Sequence, residues 1–228
     1  MAKWVLDPGH GGEDTGIVGV NGRRECDIVL EAVLEARRHL ERNGEIVILT
    51  RDSDTSINFE KRAEIANNWD ADYFVSFHMN SLSDNLITGT EIFIIEKGNK
   101  AEKLARFIQD EVLSNLKSKN RGIKYYDDSG ILKEVKIPSV LIKADFLSNE
   151  EVENTFDSKK YGYMIAKGCL DMVDKVLLEA PITKPKPLAS KTWRICVGYY
   201  KEYNEAQNAL EELVQNGAVD AYIVPYEG

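Results

Sequence analysis

The chain has 228 residues, of which 43% are hydrophobic, which is enough for one full core and a small appended unit. Its 29 Lys and Arg face 38 Asp and Glu, and with a net charge of −9 no nucleic-acid partner is expected, because phosphate binding needs a basic face. No apolar run approaches membrane-spanning length, so no membrane span is expected either. The three cysteines lack a CxxC spacing, which argues against a disulfide framework and a cysteine zinc site.

Apolar runs alternate with amphipathic segments along most of the chain. Residues 3–7 predict a first strand, and residues 25–43 predict a helix with one apolar face, which Gly44 closes. Further strands are predicted at residues 45–50, 73–77, 89–95 and 138–143, and longer helices at residues 58–69, 100–116 and 159–178. Residues 118–129 are highly charged and weakly hydrophobic, and we interpret residues 119–122 (KNRG) as an exposed loop. The alternation favours an α/β fold with a mostly parallel central sheet flanked by helices.

The composition changes after residue 179, which we take as the end of the main domain. Residues 180–191 contain three prolines interleaved with lysines, which is typical of a stiff polar linker. Residues 192–228 predict a small β-α-β unit with a helix near residues 204–216. Because so small a unit does not easily hold a core of its own, we expect it to pack on the main domain or on a second copy, as in a homodimer.

A tight turn follows the first predicted strand at residues 7–12 (DPGHGG). Pro8 and the three glycines permit a backbone that holds His10 at the strand end. Such a turn suits a metal ligand, although a simple Pro/Gly turn that contains a histidine has the same appearance.

Two further residues turn this observation into a candidate metal site. His78 ends the third predicted strand, and Glu25 begins the first helix beyond the His10 loop. Because parallel strands end along one edge of the sheet, the two histidines are expected to face one point. Taken alone, His78 could be an ordinary histidine at a strand end, and Glu25 could be an ordinary carboxylate that stabilises the start of a helix. Together, two histidines and a carboxylate, with a fourth position for water, are typical of catalytic zinc.

Other polar residues near this edge have simpler interpretations. Asn80, two residues beyond His78, fits either a substrate contact or a cap for the following loop. Arg51 and Asp52 are interpreted as a salt-bridged loop rather than as substrate contacts. His39, in the middle of the first helix, is predicted to be solvated at the surface.

The chain resembles the zinc-dependent N-acetylmuramoyl-L-alanine amidases of the amidase 3 type over roughly residues 3–178. The resemblance is carried by residues 7–12, Glu25, residues 76–81 (SFHMNS), residues 138–142 (PSVLI) and residues 146–149 (FLSN). It implies a six-stranded α/β domain that cleaves the amide between N-acetylmuramic acid and the L-alanine of the stem peptide.

The same resemblance assigns ligands, a partner and a place of action. The ligands of one Zn²⁺ would be His10, Glu25 and His78, and the partner would be peptidoglycan. Residues 192–228 resemble the first half of a SPOR-type repeat, which implies affinity for glycan strands. Because its substrate would lie in the cell wall, we expect action at the cell wall or outside the cell. The first residues lead directly into a strand and contain no signal-peptide core, so the alternative is cytoplasmic storage until lysis.

Lys143 departs from the family pattern. The family has a glutamate here, a general base that takes a proton from water and delivers it to the leaving amine. A charged lysine cannot accept that proton, and the loss of a general base typically costs about 10² to 10⁴ in rate. The positive charge should also repel zinc or swing away from it, and so weaken zinc binding.

Asp145, on the same predicted strand face, and Glu134, in the preceding loop, are weaker replacements for this base. Three explanations of Lys143 remain: an introduced substitution that inactivates the enzyme, a natural homologue that is inactive, or a wrong alignment of this strand end with the true base elsewhere. We favour the first two. Three functions follow: an impaired peptidoglycan amidase (autolysin or endolysin), which we favour, a non-catalytic wall-binding homologue, and a zinc peptidase that acts on another bond.

Overall fold

The computed structural model describes residues 1–115, 118–125, 130–178 and 205–210. The chain divides into two units, Met1–Glu179 and Ala180–Gly228. In the second unit the described residues, 205–210, are helical and fall within the predicted tail helix. The predicted linker and the rest of the predicted β-α-β unit lie outside the described residues.

Six strands of the first unit form one sheet. They are β1 (Lys3–Pro8), β2 (Ile46–Leu49), β3 (Tyr73–Asn80), β4 (Thr90–Ile94), β5 (Asn120–Tyr125) and β6 (Ser139–Phe146). Their spatial order is β2-β1-β3-β6-β4-β5, in which β4 and β6 pair antiparallel and the other neighbours pair parallel. The predicted mostly parallel central sheet is confirmed.

Helices cover both faces of this sheet. They are α1 (Glu25–Arg42), α2 (Phe59–Asn68), α3 (Lys100–Asn115), α4 (Gly130–Glu134), α5 (Glu150–Thr155) and α6 (Ser158–Met172). Helices α1, α3 and α6 pack together on one face, whereas α2 and α4 pack on the other. None of the helices in the described ranges is long and apolar enough to cross a membrane.

The central strands are apolar on both sides because each face carries its own hydrophobic cluster. Trp4 and Val75 enter the larger cluster, with α1, α3 and α6, whereas their neighbours Val5 and Phe74 enter the smaller one, with α2 and α4. Successive strand residues point to opposite faces, so a strand buried on both faces is a continuous apolar run. This explains why the central strands could be predicted from hydrophobicity alone.

The interpretation of residues 119–122 as an exposed loop is wrong for the last three of these residues. Asn120–Tyr125 is β5, which pairs parallel with β4 at the edge of the sheet. An edge strand buries few side chains and is commonly rich in charge, which blocks pairing with other chains. Hydrophobicity therefore could not distinguish this strand from a loop.

The predicted solvent exposure of His39 is also wrong. It is buried in α1, 5% exposed, where its Nε2 lies 2.9 Å from Glu35 Oε1 and its ring packs edge-on against Tyr163 of α6. Burial lowers the pKa of His39, although the neighbouring Glu35 opposes this effect. The prediction of a solvated histidine failed because α6 covers a helix position that is polar in the sequence.

Helices α1 and α6 approach each other closely at Gly162. A Cβ atom on Gly162 would lie 2.1 Å from the backbone oxygen of Ala32, so Gly162→Ala should force the helices apart and lower the free energy of unfolding by about 1–3 kcal/mol. Gly130→Ala is the matched control, because its Cβ would lie no closer than 3.8 Å to Phe59. Urea denaturation of both variants measures the difference, and equal stability would contradict the tight crossing.

Candidate metal centre

Three side chains converge at the carboxyl ends of β1 and β3. His10 Nε2 lies 3.2 Å from His78 Nδ1 and 3.2 Å from Glu25 Oε1, and His78 Nδ1 lies 3.1 Å from the same oxygen. Among the described residues, these three form the one group of three or more His, Cys, Asp or Glu whose donor atoms all lie within 4.8 Å of one another. The structure therefore brings together all three residues that the sequence analysis selected as ligands.

Glycines give the two histidines the room they need. A Cβ on Gly9 would lie 2.2 Å from Cε1 of His78, and a Cβ on Gly16 would lie 2.7 Å from Cδ2 of His10. His10 itself has a φ of 59°, in the left-handed region that few residues other than glycine adopt. The strand end is thus shaped for close contact between imidazole rings and backbone.

The Glu25 carboxylate is fixed by backbone donors on two sides. Its Oε1 accepts a hydrogen bond from the amide of Met79 at 2.8 Å, and its Oε2 accepts one from the amide of Ile17 at 3.0 Å. The side chain is 1% exposed. Backbone hydrogen bonds of this kind orient a ligand before a metal binds.

Electrostatics in the group favour a cation. Burial alone would raise the pKa of Glu25, but hydrogen bonds from His10 and His78 lower it far below its usual range. Burial alone would lower the pKa of His10, but the hydrogen bond and charge of Glu25, with a contribution from Asp14, raise it. The cluster therefore holds a carboxylate whose negative charge is available to a proton or a metal ion.

Asp14 is a site residue that the sequence analysis missed. Its Oδ2 lies 2.9 Å from His10 Nδ1, the ring nitrogen opposite the one that faces Glu25. A carboxylate on the distal nitrogen fixes the tautomer and orientation of a metal-binding imidazole. Its position four residues after His10, in the same glycine-rich loop, was the available signal.

Two buried arginines hold the backbone that carries His10. Arg62 donates to Asp7 Oδ1 at 2.6 Å, to the Pro8 carbonyl at 2.7 Å and to the His10 carbonyl at 2.6 Å. Arg51 donates to the carbonyls of Pro8 at 3.0 Å and Gly9 at 2.7 Å. The interpretation of residues 51–52 as a salt-bridged loop is therefore wrong for Arg51, which binds backbone carbonyls because the turn directs them inwards.

Asp7 is the acceptor at the centre of this arrangement. It is 1% exposed and accepts hydrogen bonds from Thr50 and Ser76, each at 2.6 Å, in addition to that from Arg62. Burial alone would raise the pKa of Asp7, but the charge of Arg62 and the two hydroxyl donors lower it. Asp7 therefore stays ionised and ties β1 to β3, to α2 and to the residue that follows β2.

Lys143 lies beside the converged group, on β6. In the strand register it stands directly opposite His78 on β3 and Glu91 on β4. Its Nζ lies 3.5 Å from Asn80 Oδ1, while the Asn80 amide nitrogen donates to Glu91 Oε1 at 2.7 Å. Asn80 thus links Lys143 to Glu91, and its Oδ1 also accepts from the amide of Ser81, as in a loop cap.

A sequence model of the N-acetylmuramoyl-L-alanine amidase family matches residues 5–175. The chain belongs to this family. A germination-specific N-acetylmuramoyl-L-alanine amidase of Bacillus subtilis strain 168 is 32% identical over 175 residues, which cover 71% of this chain and 73% of that protein. An endolysin of Bacillus phage SPP1 is 30% identical over 226 residues, which cover 90% of this chain and 82% of the endolysin.

A solved structure shows the same fold. The CwlD amidase from Clostridioides difficile, in complex with the GerS lipoprotein, matches with a TM-score of 0.72 and 32% identity. The match covers 76% of this amidase-family chain and 99% of CwlD. The predicted family and α/β fold are both confirmed.

The Asp7–Arg62 pair supplies a test of how the site is held. Arg62→Met should lower the free energy of unfolding by about 3–5 kcal/mol, because it leaves the buried Asp7 carboxylate without its cation. Arg38→Met removes an arginine whose side chain is 53% exposed, and should cost less than about 1 kcal/mol. Urea denaturation at neutral pH measures both variants.

The double variant Asp7→Asn/Arg62→Met should lose less stability than the two single variants together, and strict additivity would contradict the pairing.

Because the folded protein lowers the pKa of Asp7, this carboxylate stabilises the fold above its ordinary pKa of about 3.9, and the stabilisation is lost as the pH falls through the lowered value.

Proposed function

We propose that this chain carries the site of a zinc-dependent peptidoglycan amidase, specific for the amide between N-acetylmuramic acid and L-alanine, and that Lys143 impairs it. The observation that carries the proposal is the convergence of His10 Nε2, Glu25 Oε1 and His78 Nδ1 at one point. Membership of the amidase family supplies the bond and the substrate class.

The donor set fits zinc. Two imidazole nitrogens and one carboxylate oxygen, with a carboxylate behind one histidine, are typical of a catalytic zinc site with an open position. Bound zinc would supply Lewis-acid polarisation of the amide carbonyl and an activated water. His10, Glu25 and His78 would hold one such ion, and Asp14 would orient the His10 ring.

The register supports the assignment of Lys143 to the position of the family's general base. Direct pairing with His78 puts residue 143 on the strand adjacent to the ligands, and its side chain reaches Asn80. An ammonium group there cannot take a proton from the attacking water or deliver one to the leaving amine. We therefore expect a loss of about 10² to 10⁴ in rate relative to a carboxylate at this position.

Neither candidate replacement is well placed to act as the base. Asp145 Oδ1 accepts hydrogen bonds from the amides of Gly89 at 2.7 Å and Phe146 at 2.8 Å, which fix this carboxylate at the start of β4. Glu134 is an exposed residue at the end of α4. These contacts favour an impaired enzyme over one with a shifted base.

The second candidate function is that of a non-catalytic peptidoglycan-binding homologue, and Lys143 is the observation that favours it. In either case we propose that the chain acts at the cell wall or outside the cell, or is stored in the cytoplasm until lysis. We further propose that residues 192–228 form a SPOR-like wall-binding segment that supports a homodimer. The support for the tail is its sequence resemblance.

Lys143→Glu should restore the general base and raise the rate of amide cleavage at least about 10²-fold. Mass spectrometry of digested, purified cell wall measures the release of new L-alanine amino termini. Lys136→Glu makes the same charge change at an exposed residue before β6 and should leave the rate unchanged. Equal activity of the native and Lys143→Glu chains would contradict the role of this position, and new termini at another bond would indicate a zinc peptidase.

Asp14→Asn should weaken zinc binding about 10- to 100-fold, because it removes the charge that orients His10. Titration against a chromophoric chelator measures the zinc affinity and should give one zinc per chain. Glu13→Gln removes a neighbouring charge whose residue is exposed and should leave the affinity nearly unchanged. Identical zinc affinity in the Asp14→Asn and Glu13→Gln variants would show that Asp14 has no such role.

A further inference from the structure

Polar and charged side chains continue from the candidate metal centre across β6 and β4 to β5. Strand β6 pairs Lys143 with His78 on one side and with Glu91 on the other, and β4 pairs Phe93 with Lys124 of β5. Residues directly opposite each other in paired strands project from the same face of the sheet. These side chains therefore lie on one face, which is also the face of α2 and α4, because Phe93 packs against the smaller hydrophobic cluster.

Lys143 is a cation with little to neutralise it. In the described part of the chain it forms no ion pair, and its one polar contact is Asn80 Oδ1 at 3.5 Å, which is long for a hydrogen bond. Its Nζ also lies 5.8 Å from the centroid of the Phe93 ring. An ammonium group has three donors, so this one retains the capacity to bind an anion.

Two more cations lie on the next strand, β5, and approach Glu91. Lys124 Nζ lies 2.5 Å from Glu91 Oε2 and, like that of Lys143, 5.8 Å from the Phe93 centroid. Arg121 Nε lies 3.5 Å from the same carboxylate oxygen. One carboxylate thus faces three cations, which we call the cationic strip: Lys143, Lys124 and Arg121. The strip is locally positive in a chain whose net charge is −9.

The length of the strip matches a short extended peptide. Strands β3, β6, β4 and β5 are successive neighbours, so at about 4.8 Å per step β5 lies about 14 Å from β3 across the sheet. An extended peptide of about four residues has this length, at about 3.5 Å per residue. A peptide whose first amide lies at His78 would therefore carry its later carboxylates along the strip.

We propose that Lys143, with Lys124 and Arg121, forms an anion subsite that binds a carboxylate of the peptide attached to the muramoyl group. The inference rests on the proposed function, which supplies a muramoyl peptide as the ligand. Asn80 and Glu91 are positioning residues, because Asn80 contacts Lys143 and Glu91 holds Lys124. The lysine that removes the general base thereby strengthens recognition of an acidic peptide.

The test compares two soluble ligands that differ only in charge. N-acetylmuramoyl-L-alanyl-D-glutamate, as the free acid and as its diamide, is titrated calorimetrically into the metal-free full chain at low salt. The free acid should bind at least about tenfold more tightly, and the preference should shrink as salt is added, because partly exposed charges are screened. Equal affinity of the two ligands, or no binding of the free acid, would overturn the subsite.

Variants assign the preference to particular side chains. Lys143→Met should reduce the preference for the acid to about twofold or less, and Lys124→Met should reduce it in part. Lys136→Met removes the same charge from an exposed residue outside the cationic strip and should retain the full preference. An acid preference that persists in Lys143→Met would overturn the role of Lys143.

This result is separable from that of the proposed function. The release of L-alanine amino termini by the Lys143→Glu variant tests the amidase site, whether or not the native chain distinguishes acid from amide. The ligand comparison needs no bound zinc and no turnover. A failure of one measurement therefore does not imply a failure of the other.

Discussion

The buried ion pair between Asp7 and Arg62 is the interaction on which the candidate site depends. The turn after β1 directs the carbonyls of three consecutive residues, 8–10, into the protein, where unpaired acceptors would be costly. The guanidinium groups of Arg62 and Arg51 satisfy them, and Asp7 compensates the charge of Arg62. With the backbone held in this way, His10 keeps a left-handed conformation that directs its imidazole towards His78.

The order of the strands in the sheet places residue 143 beside the candidate metal centre. Because β6 lies between β3 and β4, residue 143 pairs with His78 of the candidate metal centre on one side and with an acidic residue, Glu91, on the other. A carboxylate at residue 143 would be suited to proton transfer next to His78. A lysine there instead extends the positive charge of Lys124 and Arg121. The identity of residue 143 therefore affects the chemistry available at this edge of the sheet, next to the three candidate ligands His10, Glu25 and His78.

The success of the sequence predictions follows from how much each residue buries. Strands β1, β3 and β6 are buried on both faces, so their apolar runs were sufficient to locate them. The edge strand β5 buries no side chain fully, and the short helix α4 buries only Ile131 and Leu132, which are too few to form a periodic pattern. The roles of His39, Arg51 and Arg62 depend on partners distant in sequence, which no local pattern indicates.

The sequence by itself determined the fold class, the family and the three ligand candidates, because strand hydrophobicity, glycine-rich turns and residue types at strand ends are local properties. It also determined that residue 143 is a lysine. Only the tertiary structure decided that the donors of His10, Glu25 and His78 meet at one point and that Asp14 supports His10. Only the tertiary structure placed Lys143 between His78 and Glu91, because the neighbours of a strand depend on the spatial order of the strands in the sheet, which differs from their order in the chain.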